Sequence, residues 1–254
     1  MSNTVELLGV YGSDRVHACS AWTSTERELT DSKIARIGKL LDMLFGEGHH
    51  TPFEKSCLHF LVTTDIATHI HLLKHRIGVS INGESARYKE LGARKGRGED
   101  KYYVPEDWSI GERVALRNHC LDCYEKYHST LERLVEEGYT RKRAKESARF
   151  YLPYATQITA DVMFNFRSFF HFQLLRNSDH AQVEIREVAK EMWDLVERNH
   201  PEFSATMQAF TDAAERDQQL QVSLAFLQEH EILKKGASVA EIEAALAALI
   251  GTGE

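Results

Sequence analysis

The stretch KHRIGVSINGESARYKE at residues 74–90 gathers Lys74, His75, Arg76, Glu84, Ser85, Arg87 and Tyr88 around little apolar surface. Guanidinium forks and hydroxyls hold anionic oxygens in fixed geometry, so Lys74, His75, Arg76, Ser85 and Arg87 suit a phosphate pocket. The competing reading is a solvated charged connection. His71 and His75 stand four apart, as helical zinc ligands do, but Leu72 follows the first of them and Lys74 and Arg76 flank the second with opposing charge, so no metal is expected. Neither G-x-x-x-x-G-K-[ST] nor G-x-G-x-x-G occurs, so a nucleotide would have to be held by side chains rather than by a Gly-rich turn. A second polar set, Asn165, Arg167, His171 and Arg176, interrupts the apolar run MFNFRSFFHFQLLR. An unpaired buried guanidinium is costly, so these residues need partners. On a helix Arg167 and His171 share a face, whereas Asn165 lies on a different face from His171. A purely structural account pairs Arg167 with a carboxylate such as Glu184 and has Asn165 cap a neighbouring carbonyl. A third polar cluster is His49–His50–Thr51.

Composition bounds the function. The chain has 254 residues, 43% apolar and 27% charged, which is ordinary for a soluble protein able to bury a core. A net charge of −7 argues against broad nucleic-acid binding. No run reaches the roughly 20 apolar residues of a membrane span, and the first residues lack a secretory pattern, so a cytoplasmic location is expected. Four cysteines, at 19, 57, 120 and 123, are too few for a disulfide framework. Cys120 and Cys123 have C-x-x-C spacing without a second pair, and the surrounding helical periodicity makes them two cysteines of a buried helix.

The elements that must position these residues follow from periodicity and punctuation. Residues 4–11 read as a strand closed by Gly-Ser-Asp, 32–45 as an amphipathic helix stopped by Gly46 and Gly48, and 56–64 as a second strand. Asp65 caps a helix expected to run through Ile66, Ile70, Leu73 and Ile77. Residues 91–101, rich in Gly and charge, read as a mobile surface loop. A long helix is expected over 111–137, another from 140 to 150, a short strand at 154–159, a buried helix over 160–175, and a further helix capped by Ser178 or Asp179. Beyond Pro201 the chain reads as Gln-, Glu- and Ala-rich helix, with a last capped helix at 238–250. The fold class is thus a helix-rich α/β (α+β) arrangement with a small central antiparallel or mixed sheet. The domain reading is a main domain at 1–202 and a helical C-terminal extension at 203–254.

Several of these segments together resemble the signatures of the flavin-dependent thymidylate synthases. His75-Arg76 followed by Ser80-x-Asn82 and Ser85-x-Arg87-Tyr88 is similar to that family's Arg-His-Arg, Ser and Arg-Tyr motif. His49-x-Thr51-Pro52-Phe53-Glu54 resembles its upstream motif and Arg149-x-x-Leu152-Pro153 its middle one. Asn165-x-Arg167-Ser168, His171-Phe172, Leu175-Arg176 and His180-Ala181-Gln182-x-Glu184-Ile185 resemble its C-terminal motif. The match covers roughly residues 3–200.

The resemblance implies reductive methylation of dUMP, with methylenetetrahydrofolate as carbon donor, FAD as hydride carrier in a non-Rossmann site and NADPH as reductant, in a homotetramer of mixed α/β fold. It implies that His49, Thr51, Lys74, His75, Arg76, Asn165, Arg167 and His171 hold FAD. His71, Lys74, Glu84, Ser85, Ala86, Arg87, Arg149 and Arg176 would then hold the nucleotide, and Arg176 would act on the uracil ring. Ser85 is given a positioning role, because no dedicated His–Ser pair is evident. This chain departs from the family in three places: Lys74 replaces the first Arg, one residue is added between Arg76 and Ser80, and Gly83 stands where a Glu follows the Asn, with Glu84 next. These departures leave open a hydroxymethylating relative, or a catalytically silent nucleotide-binding homologue.

Overall fold

A computed structural model describes residues 2–92, 101–229 and 236–251. In chain order the elements are β1 Thr4–Tyr11, α1 Asp14–Trp22, α2 Asp31–Ile34, α3 Ile37–Gly46, β2 Cys57–Asp65, α4 Ile66–Leu72, β3 Val79–Gly83, α5 Ile110–Glu136, α6 Arg141–Ala148, β4 Gln157–Phe164, α7 Phe166–Arg176, α8 Val183–Asn199, α9 Ser204–Glu229 and α10 Val239–Gly251. The contacts group the chain into two units, Met1–Gly12 with Phe53–Pro201, and Ser13–Pro52 with Glu202–Glu254. Most of the mobile loop expected at 91–101 falls outside the described residues.

The first unit is built on a four-stranded antiparallel sheet in the order β1-β2-β4-β3. Strands β2 and β4 are central, and Leu58, Phe60, Val62, Ala160, Val162 and Phe164 are buried along them at alternate positions. Phe60 stacks on Phe169 with centroids 5.9 Å apart, Phe169 stacks on Trp193 of α8 at 6.2 Å, and Phe164 meets Phe172 at 5.3 Å. Helix α7 is therefore clamped between sheet and α8 by large rings, each of which removes much apolar surface from water. Helices α5 and α6 form a second core around Tyr127, Leu131, Ala144 and Ala148.

In the second unit Asp14 caps α9 from outside that helix. Its carboxylate accepts from the Ala205 and Thr206 amides at 2.9 and 2.8 Å. Helix α9 also packs against α3.

The expected strand at 4–11 is found with those bounds, and the strand expected at 56–64 is displaced by one residue. Other expectations need correction. The helix expected over 32–45 is two helices, because the Arg36 side chain bonds the Ser32 carbonyl at 3.3 Å, the acceptor its own amide would need to continue the turn. Gly48, at φ 74°, ends α3 in a Schellman motif with His49 N–H bonded to the Leu44 carbonyl at 2.8 Å. Asp65 caps α4 as expected, but the helix stops at Leu72 rather than Ile77 as Gly78 turns the chain at φ 67°. The strand expected at 154–159 and the helix expected from 160 are replaced by β4 to Phe164 and α7 from Phe166. A continuous apolar run does not distinguish a buried strand from a buried helix. Helix α8 begins after Gln182, not at Ser178 or Asp179, and Asp179 instead pairs with Arg186 at 3.1 Å. Among the described residues no helix is long and apolar enough to cross a membrane.

Candidate active site

Helix α4 carries His71 and the turn after it His75, and α7 delivers His171 and Arg176. The buried Phe172 ring lies between sheet and site: it meets Phe164 of β4 and, edge-on, His75 at a centroid distance of 5.0 Å. His75 also meets the His171 ring at 5.9 Å, and its Nε2 accepts from Arg176 Nε at 3.1 Å. Burial above all, then the charges of Arg176, His171 and His71, lowers the His75 pKa from 6.5 to about 4. At neutral pH His75 is an uncharged acceptor. Three side chains from two distant segments, His75, His171 and Arg176, thus converge directly.

The turn after α4 is fixed against the start of α7. Ser168 Oγ donates to the Ile77 carbonyl at 2.7 Å, and the Asn165 amide donates to the Gly78 carbonyl at 3.3 Å. Asn165 is the cap of α7, with its Oδ1 accepting from Ser168 N–H at 2.9 Å, so the assumed place on a helical face some way around from His171 is corrected. Arg167 pairs with Glu54, not Glu184. Lys74 and Arg76 are exposed and make no ion pair among the described residues. Residue Gly78 lies in the added loop segment, and a Cβ there would collide with Ser168 Oγ and Asn165.

A second group surrounds β3, a strand not anticipated in the charged stretch. Glu84 N–H bonds the Thr159 carbonyl at 2.8 Å, and the Glu84 carboxylate accepts from Thr159 N–H at 3.1 Å and pairs with Lys89. Burial opposes its charge, but the bonds from Lys89 and the Thr159 amide outweigh this and hold its pKa below the ordinary carboxylate range. Gly83 faces His69, whose ring would stand 3.4 Å from an added Cβ. After Glu84, Ser85 opens a turn: its hydroxyl accepts from Arg87 N–H at 3.3 Å, and its carbonyl accepts from the Tyr88 and Lys89 amides at 3.0 Å. Ala86 lies inside that turn.

Arg87 gives both Nε and one Nη to Glu146 of α6, at 3.0 and 2.9 Å. Glu146, which sequence reasoning missed, is the single acid in RKRAKESAR, and that isolation among cations was the signal available. Arg149 is exposed at the end of α6, its guanidinium 6.0 Å from the Phe150 ring. No hydrogen bond or ion pair among the described residues joins the Arg87 group to the His75 group. His49 and Thr51 belong to the second unit, and Thr51 is the first residue of the 3-10 turn Thr51–Glu54.

Several known proteins are similar to this chain. Flavin-dependent thymidylate synthase of Kosmotoga olearia is 30% identical over 200 residues, covering 73% of this chain and 81% of its own. That of Pseudothermotoga lettingae is 31% identical over 192 residues, covering 73% and 80%. A crystal structure of the UMP/dUMP methylase PolB from Streptomyces cacaoi, bound with 5-Br dUMP, superposes with a TM-score of 0.65 at 30% identity over 83% of this chain and 95% of that one. The same enzyme bound with 5-Br UMP gives a TM-score of 0.64 at 29% identity, covering 84% and 96%. The family model described as thymidylate synthase complementing protein matches residues 6–202, nearly the whole of the sheet-bearing unit included, and the chain belongs to that family, the flavin-dependent thymidylate synthases.

Proposed function

We propose that the chain methylates dUMP reductively to dTMP, taking the carbon from methylenetetrahydrofolate and using FAD and NADPH, and that it works as a homotetramer. The observation that carries the reading is the convergence of His75, His171 and Arg176 in a chain whose relatives bear this name. The binding of uridine nucleotide analogues by the similar methylase supports a pyrimidine nucleotide as substrate.

The residues fit a flavin dinucleotide. Lys74 and Arg76 are exposed cations free of ion pairs among the described residues, suited to a diphosphate, and they flank the neutral His75, whose ring meets that of His171. Asn165 and Arg167 are assigned to the flavin with them. When bound, the flavin supplies the hydride that completes reduction of the one-carbon unit.

This chain's own residues bind and polarise the nucleotide. Arg87, Ser85 and Arg149 take the phosphate, which displaces Glu146 from the Arg87 fork, and Ala86 contributes backbone within the same turn. Arg176 directs its terminal N–H groups at the uracil ring and stabilises the negative charge that develops as the ring loses its proton, making the neighbouring carbon more nucleophilic. His71 and Lys74 flank the base. Glu84 serves the site through its bonds to Lys89 and β4, which hold the Ser85 turn in place.

The test is Arg176→Ala. Turnover is expected to fall at least a hundredfold while the purified protein stays yellow and keeps its flavin, in line with loss of a group that stabilises developing charge. Normal turnover would remove Arg176 from the mechanism.

A further inference from the structure

Arginine has N–H donors and no acceptor, so the direction of the bond between Arg176 and His75 is decided by chemistry. Nε donates, and His75 Nε2, 3.1 Å away, accepts with its lone pair. The imidazole must then be neutral, with its proton on Nδ1. Its surroundings favour that state: His75 is 7% exposed and stands edge-on to Phe172 and His171. Among the described residues the Arg176 side chain has no other hydrogen bond and no ion pair. The Nε is thus taken while both Nη groups remain unengaged. A guanidinium anchored at Nε cannot swing freely about its last bonds, so its outer N–H edge keeps one direction before any ligand arrives.

We propose that His75 is a positioning residue of the reaction: its Nε2 lone pair holds Arg176 so that the two Nη groups face the pyrimidine ring of the nucleotide. This rests on the reading of Arg176 given above, and it adds a role for His75 distinct from holding flavin. The ring packs on Phe172 of α7, the helix that carries Arg176, so acceptor and arginine are fixed by one aromatic contact.

Two substitutions separate acceptor from shape. His75→Phe keeps a ring against Phe172 and removes the lone pair, whereas His75→Gln returns a carbonyl oxygen close to the Nε2 position. Flavin-saturated wild type, both variants, Arg176→Ala and the His75→Phe/Arg176→Ala double variant are titrated with dUMP by calorimetry, with flavin content and melting temperature measured on each. His75→Phe is expected to weaken dUMP about tenfold, the scale of one hydrogen bond. His75→Gln should remain within about threefold of wild type, and the double variant should bind no more weakly than Arg176→Ala alone. Wild-type affinity in His75→Phe, equal weakening in His75→Gln, or full additivity in the double variant would each overturn the proposal while leaving Arg176 on the nucleotide. Unchanged affinity in Arg176→Ala would overturn the reading of Arg176 and this proposal together.

Discussion

At the scale of single residues, the site alternates between groups held ready and groups held in check. Arg176 is anchored at one nitrogen and open at two, whereas Arg87 has its fork occupied by Glu146. That ion pair holds the Glu146 carboxyl below the usual range through the Arg87 hydrogen bond, so Glu146 stays charged at neutral pH and competes with any phosphate for the same fork. Glu146→Gln should therefore tighten dUMP severalfold, read by calorimetry. Weaker binding would instead place Glu146 on the nucleotide. Much of this level was legible in the chain: His75, Arg87, His171 and Arg176 stood out as charge within apolar or Gly-punctuated segments. Their partners did not. Glu54 and Glu146 lie 113 and 59 residues from the arginines they pair with, and no local spacing encodes a contact over such separations.

At the scale of elements, the turn between α4 and β3 decides where Lys74, His75 and Arg76 stand. Its added segment is accommodated because Gly78 takes φ 67° with the α7 cap packed directly on its α-carbon. Gly78→Ala is expected to cost about 1–3 kcal/mol, from backbone strain and the displaced Ser168 and Asn165, and to reduce flavin content, both measurable by melting and absorbance. Wild-type stability would mean the turn rearranges freely. The joint of α1 with α9 offers a separate test. His17 is fully buried with Nδ1 3.0 Å from Thr206 Oγ1, and that hydroxyl donates to Asp14 at 2.6 Å. Burial lowers the His17 pKa from 6.5 to about 4, so as pH falls below 6.5 the unfolded chain takes up this proton first. The contribution is intact above 6.5, declines between 6.5 and 4 and is flat below. Wild type should lose on the order of 2–3 kcal/mol over that window relative to His17→Gln, followed by denaturant melts at several pH values. Parallel pH profiles for the two proteins would contradict it. Elements with strong punctuation, such as β1, the Asp65 cap and the Gly48 stop, could be read in advance. Short or fully buried ones could not: β3 has five residues in a polar stretch, and β4 runs into α7 through an unbroken apolar sequence parted only by Asn165.

At the scale of the whole molecule, the sheet and its aromatic clamp explain how segments about a hundred residues apart reach one place. Strand β4 pairs with both β2 and β3, so the start of α7 is delivered beside the turn that follows α4. The helix-rich fold with a small sheet was readable from the order of periodic segments, but the grouping of α9 and α10 with α1–α3 was not, because Asp14 reaches Thr206 across 192 residues. The added turn residue, Gly83 and Lys74 all lie where substrate and flavin are assigned, so the product itself is the most direct measure of what this architecture does. Flavin-loaded protein is incubated with dUMP, methylenetetrahydrofolate and NADPH, and the nucleotide pool is resolved by mass spectrometry. The account predicts a nucleotide heavier than dUMP by one CH2 and identical to dTMP; a hydroxymethylated nucleotide, or dUMP recovered unchanged, would contradict it.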